Sequence, residues 1–178
     1  MRYPFDVTLY SSPTARRCVL ARGGMVCCSQ PLAAQAGLEI LREGGNAVDA
    51  AVAAAAALSV VEPTSNGAGG DAFAIICMDG RLYGLNSSGP APALADAEQL
   101  RARGDEMPCE GWFPVNVPGI PAAWAAASRR FGRLGLGRLF KRAAEYAEGG
   151  YPLSPVVSGL WRADFERYAP LKNEEAFR

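Results

Sequence analysis

Two stretches of the chain are apolar at nearly every position, Ala50 to Val60 and Phe73 to Met78, and a glycine-rich turn joins them. The first is alanine-rich and long enough for a helix. Alanine has the highest helix propensity and lets a neighbouring element approach closely. A helix that is apolar on every side is a buried one. Gly44 and Gly45 end a preceding helix, and Asn46 starts this one as its N-cap, a position where the amide oxygen accepts an orphan backbone N–H. Asp49 falls in the first turn, where a carboxylate suits the helix dipole. Pro63 stops the helix. The second stretch, Phe73 to Met78, shows no polar alternation and predicts a strand covered on both faces.

Weaker patterns surround this centre. Gly24 to Cys28 is a short apolar run that predicts a strand opening the sheet. A helix over Pro31 to Glu43 follows, capped by Ser29, with Ala33, Gly37, Ile40 and Leu41 as its buried stripe. Asp79-Gly80 supplies the positive φ values of a type I′ hairpin turn, so Leu82 to Asn86 is the return strand. Ser87 to Pro92 is built of turn residues. A short helix over Ala95 to Gly104 precedes an extended segment, Cys109 to Pro118, with two prolines and the character of an edge.

Three more helices are predicted: Pro121 to Phe131, Arg138 to Glu148, and Pro155 to about Tyr168 behind the Ser154-Pro155 cap. Their apolar stripes are Trp124, Ala127, Ser128 and Phe131; then Leu139, Ala143 and Tyr146 or Ala147; then Val157, Leu160, Trp161, Phe165 and Tyr168. Residues 1–22 read as an irregular arm with Pro4 and Pro13. The tail from Pro170 to Arg178 carries no closing signal.

Composition removes several function classes. Lys plus Arg and Asp plus Glu are both 18, and this balance argues against nucleic acid or an anionic membrane as partner. The chain has no histidine, which excludes a Ser-His-Asp or Cys-His nucleophile within it and any His-ligated metal. No metal site and no cofactor is expected. The cysteines are Cys18, Cys27, Cys28, Cys77 and Cys109, with no CxxC pair. Buried, reduced thiols in a cytoplasmic protein are the expectation. The N-terminus lacks the continuous apolar core of a signal peptide, and the alanine-rich run falls short of the roughly 20 residues that span a bilayer.

Gly67-Ala68-Gly69-Gly70-Asp71-Ala72 formally fits the GxGxxA dinucleotide fingerprint. That motif needs a strand before it and a helix after it, and here the order is reversed. It is read as a permissive turn.

One resemblance absorbs most of these features. LREGGNAVDAAVA at Leu41 to Ala53, VEP at Val61 to Pro63, GAGGDAF at Gly67 to Phe73, VPG at Val117 to Gly119, RFGRL at Arg130 to Leu134 and AEGGYPLSP at Ala147 to Pro155 stand in an ordered series. From Gly24 onward the chain resembles the N-terminal part of the large subunit of the gamma-glutamyltransferase family, the glutathione hydrolases and related acylases. The resemblance implies an α+β fold of the N-terminal-nucleophile hydrolase type, an αββα sandwich. Residues 23–178 would form only the first part of that domain.

It also implies a precursor that cuts itself in two. The new N-terminal threonine of the small subunit attacks a gamma-glutamyl amide, with its own amino group as base, so no histidine is needed. Thr8, Thr14 and Thr64 do not match that processing site, so no catalytic nucleophile is placed in this chain. The implied partners are a small-molecule amide or peptide and the remainder of the precursor. Typical members hold the substrate's α-carboxylate with an arginine after the second core strand, a task for a bidentate guanidinium. That position is Ser88 here, or Pro90 by the pattern of some acylase-like relatives, and the Asn86 to Pro92 loop contains no arginine. Asn86, Ser87 and Ser88 are the substrate-binding candidates, able to offer hydrogen bonds but no charge; as residue types they are equally turn formers. A non-catalytic binding or structural protein of the same fold is the alternative.

Overall fold

The computed structural model describes residues 19–108, 111 and 113–170. Most of the predicted arm, with Thr8, Thr14 and Cys18, lies outside the described residues, as do Cys109, Trp112 and the chain from 171 onward. The described elements are α1 (Pro31–Arg42), α2 (Ala47–Val61), β1 (Ala72–Met78), β2 (Arg81–Ser87), α3 (Ala97–Arg101), α4 (Ile120–Phe131), α5 (Leu136–Leu139), α6 (Lys141–Gly149) and α7 (Pro155–Tyr168).

Helix α2 is the centre. It packs against α1, α4, α5 and α6. Its N-terminus is a complete capping box: Asn46 Oδ1 accepts from Val48 and Asp49 N–H, and Asp49 Oδ2 accepts from Asn46 N–H at 3.0 Å. Small residues let α1 and α2 touch backbone to backbone. A Cβ at Gly37 would lie 3.0 Å from the Ala50 carbonyl and 2.9 Å from a Val26 methyl. One cluster joins Ile40, Val48, Val52, Ala53, Ala127 and Leu139; a second joins Ala33, Ala36, Ala57 and Val61.

β1 and β2 form an antiparallel hairpin from Ala72↔Ser87 to Met78↔Arg81. Its turn has the predicted positive φ values, 51° at Asp79 and 75° at Gly80. One face, carrying Ile76, Met78 and Leu85, packs into the first cluster with Trp124 and Phe131 of α4. The other face is open. Phe73 is 67% exposed, Ile75 84% and Leu82 74%, so the expectation of a strand covered on both faces is corrected. The continuous apolar run does mark a strand with two apolar faces, but no described element packs on the second.

Other expectations change for local reasons. Gly24 to Cys28 forms no strand and pairs with none among the described residues; Val26 instead presses onto Gly37 at the helix crossing. Gln30, not Ser29, caps α1, its side chain accepting from Leu32 N–H, while the Ser29 hydroxyl donates to Glu62. Leu41 is only part-buried, and Ala36 takes its place in the stripe. The helix predicted over Arg138 to Glu148 is broken at Phe140 into α5 and α6, which places both Leu139 and Ala143 inward. The stripe of α7 is largely open: Val157 is buried, whereas Leu160, Trp161 and Phe165 are 47%, 46% and 75% exposed. Cys27 and Cys77 are exposed free thiols rather than buried ones.

Candidate substrate-binding site

The hairpin register decides where the three predicted residues point. Side chains on a strand alternate between faces, and cross-strand partners share a face. Asn86 pairs with Phe73 and lies on the open face. Ser87 pairs with Ala72 and turns inward, where its hydroxyl donates to the Gly119 carbonyl at 2.8 Å. Ser88 sits one step beyond the ladder. The structure therefore does not bring the three together as one cluster. Asn86 Oδ1 accepts from Ser88 N–H at 3.1 Å, an Asx turn that shapes the loop. The Ser87 hydroxyl is spent on Gly119.

Sequence reasoning overlooked what holds this loop. Continuing the register past Ala72↔Ser87 brings Asp71 opposite Ser88. Asn116 bridges the two: its Nδ2 donates to Asp71 Oδ1 at 2.6 Å and to the Ser88 carbonyl at 2.8 Å. The backbone closes the rest of the junction. Val117 N–H donates to Pro90 O at 3.1 Å, and Gly119 and Ile120 N–H donate to Gly70 O at 3.0 and 3.2 Å. The two loops meet so closely that a Cβ at Gly89 would lie 1.9 Å from Val117 O, and one at Gly119 would lie 1.9 Å from Ser87 O. Gly89 also has φ 69°, which favours glycine on its own. The GGDAF and VPG motifs were the available signal: both are glycine-bearing turns, but nothing local says that they touch.

A cleft of about 930 Å³ lies between α2, the turn after it, β1 and α4; Gly70 and Asp71 line it, whereas residues 86–90 and 116–119 do not. Its walls are mainly apolar, with Val52, Ala55, Phe73, Ile75 and Trp124 among them. Among the described residues, Asp71 is the one charged side chain on its lining. Thr64 also lines it, with a buried hydroxyl that finds no partner among the described residues; it lies within the turn after α2, away from any chain terminus. Arg81, the arginine nearest the loop along the hairpin, pairs with Met78 at the far end. Six residues of strand, at about 3.4 Å each, separate it from Ser87, so it cannot stand in for an arginine of the loop. The described residues contain no cluster of His, Cys, Asp or Glu able to hold a metal, and no helix among them is long and apolar enough to cross a membrane.

The family model described as gamma-glutamyltranspeptidase matches residues 33–178. The acylase ACY 1 proenzyme of Pseudomonas sp. (strain SE83) is 38% identical over 146 residues, 76% of this chain and 26% of that protein. The chain thus spans about a quarter of the length of the curated relatives it matches. Among solved structures, cephalosporin acylase from Bacillus halodurans superposes with a TM-score of 0.86 at 47% identity, over 97% of this chain and 33% of that one. Helicobacter pylori gamma-glutamyltranspeptidase superposes at 0.80 and 32% identity, over 89% and 46%. These structures carry the N-terminal-nucleophile hydrolase fold, so the α+β αββα class stands. The chain belongs to the gamma-glutamyltranspeptidase family.

Proposed function

We propose that this chain is the opening part of a self-processing amide hydrolase or acyltransferase, and that the junction of the 86–90 and 116–119 loops binds the acyl end of the substrate. The observation that carries the reading is the junction itself. Two loops tied by Asn116 and by the Gly89 and Gly119 contacts end a core hairpin, and Gly70 and Asp71 beside them line a cleft. The nucleophile would be an N-terminal threonine outside this chain. Its hydroxyl oxygen attacks the amide carbonyl, the C–N bond breaks and the amine leaves with a proton. Water or an acceptor amine then takes the acyl group from the threonine ester. Acylases and gamma-glutamyltranspeptidases among the relatives support amide chemistry of this kind. The reading includes a cytoplasmic location, supported by the exposed free thiol of Cys27, which suits a reducing compartment.

The test is a time course of the complete protein on a denaturing gel, with the mass and N-terminal residue of each fragment. Two fragments, the smaller beginning with threonine and able to cleave an acyl anilide, are expected. A single uncut band without amidase activity would favour a non-catalytic binding protein of the same fold, the reading to which an arginine-free loop also lends support.

A further inference from the structure

We infer that Cys27 and Cys28 are a redox modification site: a peroxide joins them in a vicinal disulfide, and closing that bond loosens the N-terminus of α1 from the core. The inference is independent of the amidase reading.

The two thiols face different surroundings. Val26 and Cys28 are part-buried, Val26 against the first core cluster and Cys28 against the second, and Cys27 between them is exposed. Residues 28–30 then tie the start of α1 in place. The Cys28 Sγ donates to the Gln30 carbonyl at 3.1 Å. The Ser29 hydroxyl donates to Glu62, which caps the C-terminus of α2. Gln30 is buried; its side chain accepts from Leu32 N–H, and its carbonyl accepts from Ala34 N–H at 3.1 Å.

Exposure makes Cys27 the thiol that meets the oxidant. Its thiolate sulfur attacks one peroxide oxygen. The O–O bond breaks, the departing oxygen takes a proton and leaves as water, and Cys27 becomes a sulfenic acid. The Cys28 sulfur then attacks the Cys27 sulfur: the S–S bond forms, the S–O bond breaks and a second water leaves. The two thiols give up two electrons and the peroxide takes them. Because Cys28 is the next residue, the resolving thiol is held beside the sulfenic acid by the chain itself.

The bond is coupled to the fold through Cys28. Adjacent α-carbons lie about 3.8 Å apart, closer than the roughly 4.4–6.8 Å of an ordinary disulfide. The chain at 27–28 must turn to bring both sulfurs to one side. Cys28 cannot do so while it packs on the second cluster and donates to Gln30. Closure therefore draws Cys28 outward and moves the segment whose Gln30 caps the first turn of α1. A ring strained in this way is readily reduced, so the change reverses once the oxidant is gone.

The experiment treats the reduced, complete protein with hydrogen peroxide, blocks remaining thiols with iodoacetamide and digests it with trypsin. The peptide from Gly23 to Arg42 holds Cys27 and Cys28 and no other cysteine. It is expected to be two hydrogen masses lighter than its reduced form and to carry no alkyl group. Dithiothreitol before blocking should restore both alkylations. Hydrogen exchange at the Leu32 and Ala34 amides should rise about tenfold in the oxidised protein, the scale of one lost hydrogen bond. Cys27→Ser should show neither change. Cys28→Ser, which keeps a donor for Gln30, should stop at the sulfenic acid, seen as a dimedone adduct on Cys27. Two alkylated cysteines after peroxide, a sulfinic acid at Cys27 of the wild type, or a disulfide from either residue to another cysteine would overturn the site. A vicinal disulfide that leaves both amides within about twofold of the reduced protein would overturn its coupling to α1.

Discussion

The carboxylate of Asp49, in the first turn of α2, accepts the backbone N–H of Arg133 with both oxygens, at 2.9 and 3.2 Å, from a position with no solvent exposure. The same group accepts from Leu134 and Asn46 N–H, while Asn46 Nδ2 donates to Phe131 O at 2.5 Å. With no cationic partner among the described residues, this buried carboxylate is held by backbone donors and by the positive potential of the helix N-terminus. Two motifs more than eighty residues apart, GGNAVD and RFGRL, are thereby one structural unit.

Removing that carboxylate leaves at least three backbone N–H groups without an acceptor. Hydrogen bonds to charged groups contribute about 1.5–3 kcal/mol each, and orphaned buried donors add their desolvation cost. Asp49→Ala is expected to lower stability by about 3 kcal/mol or more, with Asp49→Asn between it and wild type. Urea midpoints at constant m-value measure this; a loss below about 0.5 kcal/mol for Asp49→Ala would show that the unit is held by something else.

Gly132 and Gly135 separate space from backbone conformation. Both have ordinary negative φ, −71° and −75°. A Cβ at Gly132 would lie 2.6 Å from Asp49 Oδ1 and from Ser128 O, whereas Gly135 has open space. Gly132→Ala should cost roughly 1–3 kcal/mol through overpacking. Gly135→Ala should be neutral or stabilise by up to about 1 kcal/mol through the unfolded chain. Equal thermal shifts for the two variants would contradict this account.

The tie between α1 and the α5–α6 region is electrostatic and acid-sensitive. The Arg138 guanidinium hydrogen-bonded to Glu43 holds that carboxyl below its ordinary value. Because the folded-state pKa is depressed, the contribution is present above the unfolded value and is lost as pH falls through the folded one. The wild-type advantage over Arg138→Gln should therefore shrink below about pH 4.3, the ordinary glutamate value. Added salt should shrink it at neutral pH, since the pair lies near the surface. A Glu43 titration followed by NMR that does not rise in Arg138→Gln would refute the assignment.

Tyr151 packs against the cluster of Ala33, Ala36, Ala57 and Val61, and its hydroxyl is buried with no partner among the described residues. Burial also pushes its pKa upward. Deleting an unsatisfied hydroxyl removes a desolvation cost, so Tyr151→Phe should be neutral or stabilising by up to about 1 kcal/mol. A loss above about 1 kcal/mol would mean that the complete protein gives this hydroxyl a partner.

The open hairpin face offers a direct footprint of its cover. Cys77 is exposed there beside Phe73, Ile75 and Leu82. In an αββα sandwich that face meets the second sheet. A thiol reagent should modify Cys77 quickly in the isolated 178-residue chain and at least about a hundredfold more slowly in the complete protein, with Cys77→Ser identifying the signal. Equal rates would place the face on the outside of the molecule.

What the sequence made legible was local. The Asp79-Gly80 turn, the Asn46 cap and the Ser154 cap each lie within four residues of what they control, and each is present. What stayed hidden was set by distant chain. Nothing in Phe73 to Met78 says which face a described element covers, and nothing in Gly24 to Cys28 distinguishes a strand from a plug at Gly37. The same holds at the candidate site. Asn86, Ser87 and Ser88 could be nominated from the end of β2, but their opposite orientations follow from pairing with Ala72 and Phe73. Asp71 and Asn116, 45 residues apart, meet only through the fold.

The glycine contact at Gly89 and Gly119 has a consequence for how such a site can diversify. With no room for a side chain on either backbone, the main chain of the junction is a fixed frame, and the loops cannot be reshaped without parting them. Change is confined to the side chains mounted around that frame, at 71, 86, 88, 90 and 116. On the proposed reading of the junction as the acyl-end site, an engineer could alter acyl preference through those side chains on an unaltered socket.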